Sequence, residues 1–169
     1  MRTYCSGKGQ IQFYSYSDNK DCDPGDDKCD IYFKPIVVLD GDNREAFKVK
    51  KTATTDNVNK VFFSSSLFGS LNDPIEVNVA KNKQMTISIK ARDEDSGFDD
   101  DMHSMTGLVV PFASIGADDG WRWKSYNSDD KEAQLRIKYR IISCDDHFAG
   151  QGCEAVSYTH LTLPTIYSV

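Results

Sequence analysis

The chain has no long hydrophobic run. Nowhere in its 169 residues do about 18 apolar residues follow one another, so no segment reads as a membrane-spanning helix. No apolar stretch follows Arg2 either, and 1–10 therefore does not read as a secretory leader. An excess of basic residues is missing: 20 Lys and Arg face 26 Asp and Glu, and the net charge of −6 argues against nucleic acid as a default partner. Histidine is scarce, with three in all, and only His103 and His147 precede residue 156. There is no G-x-S-x-G elbow, no H-E-x-x-H helix and no Gly-rich phosphate loop. Little is left from which to assemble a catalytic centre, and the chain reads as a binding protein rather than an enzyme.

What is present is β-structure. Short alternating or β-branched runs recur at Gln10–Tyr16, Ile31–Leu39, Ala46–Lys51, Val61–Phe68, Ile75–Val79, Met85–Ala91, Gly107–Phe112 and Glu132–Ile142, separated by Gly, Asn, Asp and Ser clusters. No long 3.6-period segment competes with them. Eight strands at this spacing predict an all-β, antiparallel β-sandwich. In the last run Leu135, Ile137, Tyr139 and Ile141 line one face, while Gln134, Arg136, Lys138 and Arg140 face water. Pro35 removes a ladder donor, which predicts an edge or a bulge at that point.

The acids are gathered in two places. Asp18, Asp21, Asp23, Asp26, Asp27 and Asp30 form one cluster and Asp93, Glu94, Asp95, Asp99, Asp100 and Asp101 another, together 12 of the 26. Like charges this dense repel unless water screens them or a cation bridges them. Solvated loops and a divalent-metal site are the two readings. Loops of a sandwich meet at its ends, so the two clusters are expected at one pole.

The cysteines divide similarly. Cys22 and Cys29 flank a turn-rich Asp-Pro-Gly-Asp-Asp-Lys, and Cys144 and Cys153 enclose a segment holding Gly150 and Gly152. Each pair closes a small disulfide loop or ligates metal. Neither has C-x2-C spacing, and no histidine pattern completes a zinc set. A closed loop of this size contributes about 2–3 kcal/mol by chain entropy. Cys5 is left over.

Two resemblances follow. The spacing Asp93-x-Asp95-x5-Asp101 resembles the third calcium loop of C2 domains, and Asp30-Ile-Tyr-Phe-Lys34 resembles the opening of a C2 strand. That resemblance implies Ca²⁺ held by Asp93, Asp95 and Asp101, with Asp30 and Asp21 or Asp23 from the first cluster, since Ca²⁺ takes six to eight hard oxygens. Phe98, between the carboxylates, then either folds back on the sandwich, the commoner fate of a loop aromatic, or inserts into a bilayer.

The second resemblance is more specific. Leu135–Ser143 leading into Cys144-Asp-Asp-His-Phe-Ala-Gly-Gln-Gly-Cys153 resembles the start of the DSL domain of Notch ligands, the Delta and Jagged/Serrate proteins. Cys22 with Cys29-Asp-Ile-Tyr-Phe-Lys34, the strand Met85–Ala91 and Trp121 resemble the C2-type MNNL region that precedes DSL in that family. A later cysteine of that family's strand is absent here, with Pro35 and Ile36 in its place. The resemblance implies residues 8–142 as an MNNL/C2-like sandwich and 143–155 as the start of a DSL module. It also implies that the EGF repeats of a Notch-type receptor are the partner, reached through His147 and Phe148; packing inside the module is the other reading of Phe148. Residues 156–169 resemble a translated sequencing adapter and enter no fold argument.

The functional expectation is the receptor-binding extracellular end of a single-pass, Delta- or Jagged-like cell-surface ligand. The alternative is a secreted C2-like module that binds phospholipid head groups or glycans through calcium.

Overall fold

The computed structural model describes residues 7–20, 22, 28–79, 84–112 and 120–144. Among the described residues nine strands form two antiparallel sheets: β1 (Gly7–Asp18), β2 (Ile31–Leu39), β3 (Glu45–Val49), β4 (Lys60–Phe62), β5 (Ile75–Val79), β6 (Met85–Asp93), β7 (Asp100–Val110), β8 (Arg122–Asn127) and β9 (Ala133–Cys144). One sheet runs β4-β1-β9-β8, with β5 also paired to β1; the other runs β3-β2-β6-β7. Among the described residues no helix is long and apolar enough to cross a membrane.

Alternation places the core between the sheets. Ile11 and Phe13 of β1, and Leu135, Ile137, Tyr139 and Ile141 of β9, are buried, while Arg136, Lys138 and Arg140 face outward, as their period of two requires. The rings of Phe13, Phe33, Phe63 and Phe68 lock the two layers together. Phe63 lies 5.5 Å from Phe13, 5.3 Å from Phe33 and 5.3 Å from Phe68. Such tilted pairs add about 0.5–1.5 kcal/mol each beyond area burial. Gly9 is needed where β1 passes the core: a Cβ there would sit 2.6 Å from Cε1 of Phe112.

Three expectations are corrected. The run Val61–Phe68 is not one strand. It is β4 followed by a 3-10 turn, Ser66–Asn72, whose first turn is capped by the Ser65 hydroxyl accepting from Leu67 N–H. Serines 64–66 offer the backbone local side-chain bonds in competition with the ladder. The three-residue period then buries Phe68 and Leu71 together. An unexpected ninth strand, β8, occupies a sheet edge with only Tyr126 buried, so its sequence carries no alternating apolar pattern. Finally, β7 begins at Asp100 rather than Gly107, which shortens the connection from β6 to residues 94–99. Pro35 lies in an interior strand, and its missing donor is absorbed by a bulge between Phe33 and Ile36.

The antiparallel order puts at one pole the strand ends joined by 19–30, 50–59, 94–99 and 128–132; of these, 21 and 23–27 lie outside the described residues. β9 ends at the opposite pole, where Cys144 pairs with Gly7.

Candidate functional site

Hydrogen bonds knit these four connections together. Cys29 and Val58 exchange backbone bonds of 3.1 and 2.8 Å. The Asp30 N–H donates to Oδ1 of Asp93 at 2.7 Å, the Glu94 N–H donates to the Asp30 carbonyl at 3.0 Å, and the Asn57 N–H donates to Oδ1 of Asp30 at 2.7 Å. Asn19 N–H reaches the Glu132 carbonyl at 3.0 Å. Asp30 of the first cluster thus meets Asp93 and Glu94 of the second, while Asp21, Asp23, Asp26 and Asp27 lie outside the described residues.

The expected ligands have unequal surroundings. Asp93 is only 2% exposed and lies beneath the Cys22–Cys29 disulfide, whose sulfurs come within 4.8 Å of its carboxylate. Disulfide sulfurs are not thiolates and bind no metal in that form. Asp95 is half-buried in the 94–99 hairpin. Asp101 is not in the hairpin. It stands on β7 opposite Arg92, with Oδ1 2.9 Å from Arg92 Nε and Oδ2 3.1 Å from Lys90 Nζ. The Lys90 hydrogen bond, with the charge of both cations, holds the Asp101 carboxyl below the usual carboxylate range. Asp21 and Asp23 lie outside the described residues, as do His147, Phe148 and Cys153. Of the two expected disulfides, Cys22–Cys29 is formed, with a Cα separation of 5.4 Å. The other, Cys144–Cys153, reaches outside the described residues.

Other acids of this pole are also compensated. Glu94 pairs with Lys51 at 3.3 Å, and Thr54 and Lys51 lower its pKa. The Tyr32 hydroxyl donates to Oδ2 of Asp99 at 2.5 Å, lowering the Asp99 pKa; burial, together with that bond, raises the Tyr32 pKa. Lys51 Nζ sits 4.3 Å over the Tyr32 ring, and Lys20 Nζ donates to the Asp101 carbonyl. Phe98, at the hairpin tip, is 94% exposed, which corrects the expectation that it folds back on the sandwich.

A network that the sequence does not announce lies beneath these loops. Asp18 is fully buried and accepts from the Tyr16 hydroxyl at 2.6 Å, the Lys20 N–H at 2.9 Å and His103 Nδ1 at 2.7 Å. His103 Nε2 faces Oδ2 of Asp130 at 2.9 Å and Oε2 of Glu132 at 3.9 Å. Burial pulls the His103 pKa down, but the hydrogen bonds and charges of Asp130 and Asp18 outweigh it and leave the pKa raised. Burial and the Asp18 charge push the Tyr16 hydroxyl pKa strongly up. The one visible cue is period two, which sets Tyr16 and Asp18 on a single inward face.

No protein-family profile and no curated protein sequence matches the chain. Solved structures do. Human GIVD cytosolic phospholipase A2 matches with a TM-score of 0.53 and 13% identity over 83% of this chain and 17% of its own. A C2 domain of plant Extended Synaptotagmin 1 matches with 0.53 and 12% over 80% of this chain and 93% of its own. A two-domain C2 fragment of Extended-Synaptotagmin 2, solved calcium-bound, matches with 0.51 and 16% over 82% of this chain and 46% of its own. This chain thus spans about a sixth of the phospholipase. At these identities the likeness is one of fold, and the fold is a C2-like β-sandwich.

Proposed function

We propose that the chain is a C2-like recognition module that docks anionic lipid head groups through its four-loop pole. The observation carrying this reading is Phe98, a bare aromatic ring at the tip of a hairpin flanked by acids. An exposed Phe gains about 1.5–3 kcal/mol when it enters an apolar phase, and Phe98 is already turned outward at the hairpin tip.

Carboxylate oxygens suit Ca²⁺ in kind, but the described acids form no ready-made cage. Asp101 is neutralised by Lys90 and Arg92, and Asp93 is buried under the disulfide with Oδ1 engaged. In this reading calcium is held by Asp30 and Asp95, with Asp21 and Asp23, while Asp93 and Asp101 brace the loops. The bound ion would supply positive charge toward a phosphate or carboxylate head group. Sedimentation with phosphatidylserine vesicles in calcium and in chelator tests it. Binding that Phe98→Ser weakens about tenfold or more supports the reading; protein left in the supernatant under both conditions refutes it.

A second reading retains the Notch-ligand resemblance. Its supporting observation is that β9 runs unbroken to Cys144, at the pole away from Phe98, so a DSL-like module following it would leave the lipid-docking loops free. Here the chain is the extracellular, receptor-facing end of a Delta- or Jagged-like ligand. Capture by immobilised EGF repeats of a Notch-type receptor supports that role, and failure to bind them removes it.

A further inference from the structure

The outer face of the β4-β1-β9-β8 sheet is the opposite of the loop pole in charge. Period two sends Arg136, Lys138 and Arg140 of β9 outward in a row, with Lys60 and Lys8 beside them. Among the described residues one carboxylate shares the face, Glu76, and Lys8 holds it at 2.7 Å. Among the described residues no carboxylate pairs with Arg136, Lys138 or Arg140. A chain of net charge −6 has therefore gathered an uncompensated basic row on one sheet face.

That row is fixed by aromatic rings. The Arg136 guanidinium lies 4.9 Å from the Trp123 ring centroid and 5.5 Å from that of Tyr14. Lys138 Nζ lies 5.3 Å from Trp121 and 5.6 Å from Trp123, and the Arg140 guanidinium 4.5 Å from Trp121. Arg140 Nε also donates to Gln10 Oε1 at 2.9 Å. Cations over ring faces at exposed sites gain about 0.5–1 kcal/mol each. The larger consequence is positional, because a stacked guanidinium keeps its fork of donors at a set place instead of sweeping through solvent. Trp123 itself is 49% exposed on an edge strand, so a bound chain can still contact its ring.

We propose that this face binds a linear acidic polysaccharide, with sulfate or uronate groups on the basic row and sugar rings against Trp121, Trp123 and Tyr14. Three cations at alternate positions of one strand span about 13–14 Å at about 3.4 Å per residue. That is a linear array at fixed spacing, suited to a polymer with regularly repeated anions. Fluid lipid head groups need no such spacing. A twisted sheet also turns by about 20–25° per strand, so a flat bilayer meets part of this face while a flexible chain can follow β9. Amides of Gln10, Gln12 and Gln134 beside the row suit sugar hydroxyls as donors and acceptors. The site is independent of the loop pole and needs no calcium.

The test is equilibrium binding to a heparin octasaccharide and to unsulfated polygalacturonate, which separate sulfate from carboxylate recognition, with phosphatidylserine vesicles and duplex DNA as competitors. The expected result is salt-sensitive binding to at least one polysaccharide, unchanged by chelator. The Arg136→Gln/Arg140→Gln variant should bind tenfold or more weakly at unaltered melting temperature. Trp123→Ala, which keeps every charge, should lose severalfold. Lys48→Gln, on the other sheet, should bind as wild type. Three results overturn the proposal: no binding to either polysaccharide, binding indifferent to the double variant, or tighter binding of vesicles or DNA through the same residues.

Discussion

Replacing Asp18 with Asn should destabilise the protein severely, and more at acid pH than at alkaline pH. The carboxylate is fully buried and accepts from the Tyr16 hydroxyl, the Lys20 N–H and His103 Nδ1, all within 2.9 Å. Hydrogen bonds to a charged group contribute about 1.5–3 kcal/mol each, but they share one acceptor and do not add. Removing one partner of a buried ion pair costs about 3–5 kcal/mol, which is the better guide. For a domain of this size that lowers the melting temperature by about 6–20 °C, at about 2–4 °C per kcal/mol.

The pH dependence follows from His103. Its folded pKa is raised, so the stability it contributes is fully present below the unfolded value of about 6.5 and fades as pH rises through the folded value. Asp130, whose pKa is lowered by Ser128, by the Glu132 N–H and by His103, contributes above the unfolded carboxylate value of about 3.9 and loses that contribution as pH falls. The network is therefore strongest between about pH 4 and pH 6.5. Urea titrations of wild type and Asp18→Asn at pH 5.5 and 8.5 measure it directly. The gap between the two proteins should be larger at pH 5.5. A gap that is equal at both values, or below about 1 kcal/mol throughout, would refute the charged network.

Other expectations are narrower. Asp30→Asn combined with Asp95→Asn should abolish any calcium-induced rise in melting temperature, whereas Asp101→Asn should preserve it; the reverse order would return Asp101 to the calcium set. Phe63→Ala should cost about 3–5 kcal/mol by denaturant titration, because it faces three other rings; a cost near 1 kcal/mol would mean that the cluster collapses around the gap. Gly9→Ala should cost about 1–3 kcal/mol through the Phe112 ring, and Phe112→Leu should restore part of that loss in the double variant. Reduction or Cys22→Ser should cost about 2–3 kcal/mol and loosen the 19–30 connection, read as faster amide exchange at Cys29 and Val58.

The sandwich was legible where β-branched and aromatic side chains are buried in runs of strand length. Ile31–Leu39 and Ile75–Val79 were readable to the residue, and the inward and outward sides of β9 follow from Leu135 to Arg140 alone. Legibility failed where burial is one-sided or where charge is compensated at a distance. β8 is an edge strand with one buried side chain, so Arg-Trp-Lys-Ser-Tyr-Asn shows no period. Asp100 and Asp101 read as loop residues because strands disfavour Asp. Lys90 and Arg92, across the ladder on β6, supply the charge that makes a strand possible there. The same pairing compensates the charge of Asp101, which its spacing alone does not reveal. The meeting of Asp30 with Asp93 was foreseeable from the topology of a sandwich, but the burial of Asp18 against His103 was not. Those residues are 85 positions apart, and nothing local to either marks the other.

The distribution of charge is the most informative consequence of the fold. Acids collect where four connections meet, and the sheet's alternation gathers Arg136, Lys138 and Arg140 on a face whose aromatic rings fix them. A uniformly acidic surface would repel every polyanion. On the proposed reading, segregation instead gives one molecule two contact regions: a pole tipped by Phe98, where lipid docking would depend on a cation, and a lateral face that carries its own positive charge. Chelator separates the two experimentally. It should release the protein from anionic vesicles and leave it on an acidic polysaccharide, and loss of both together would show that a single surface serves both ligands.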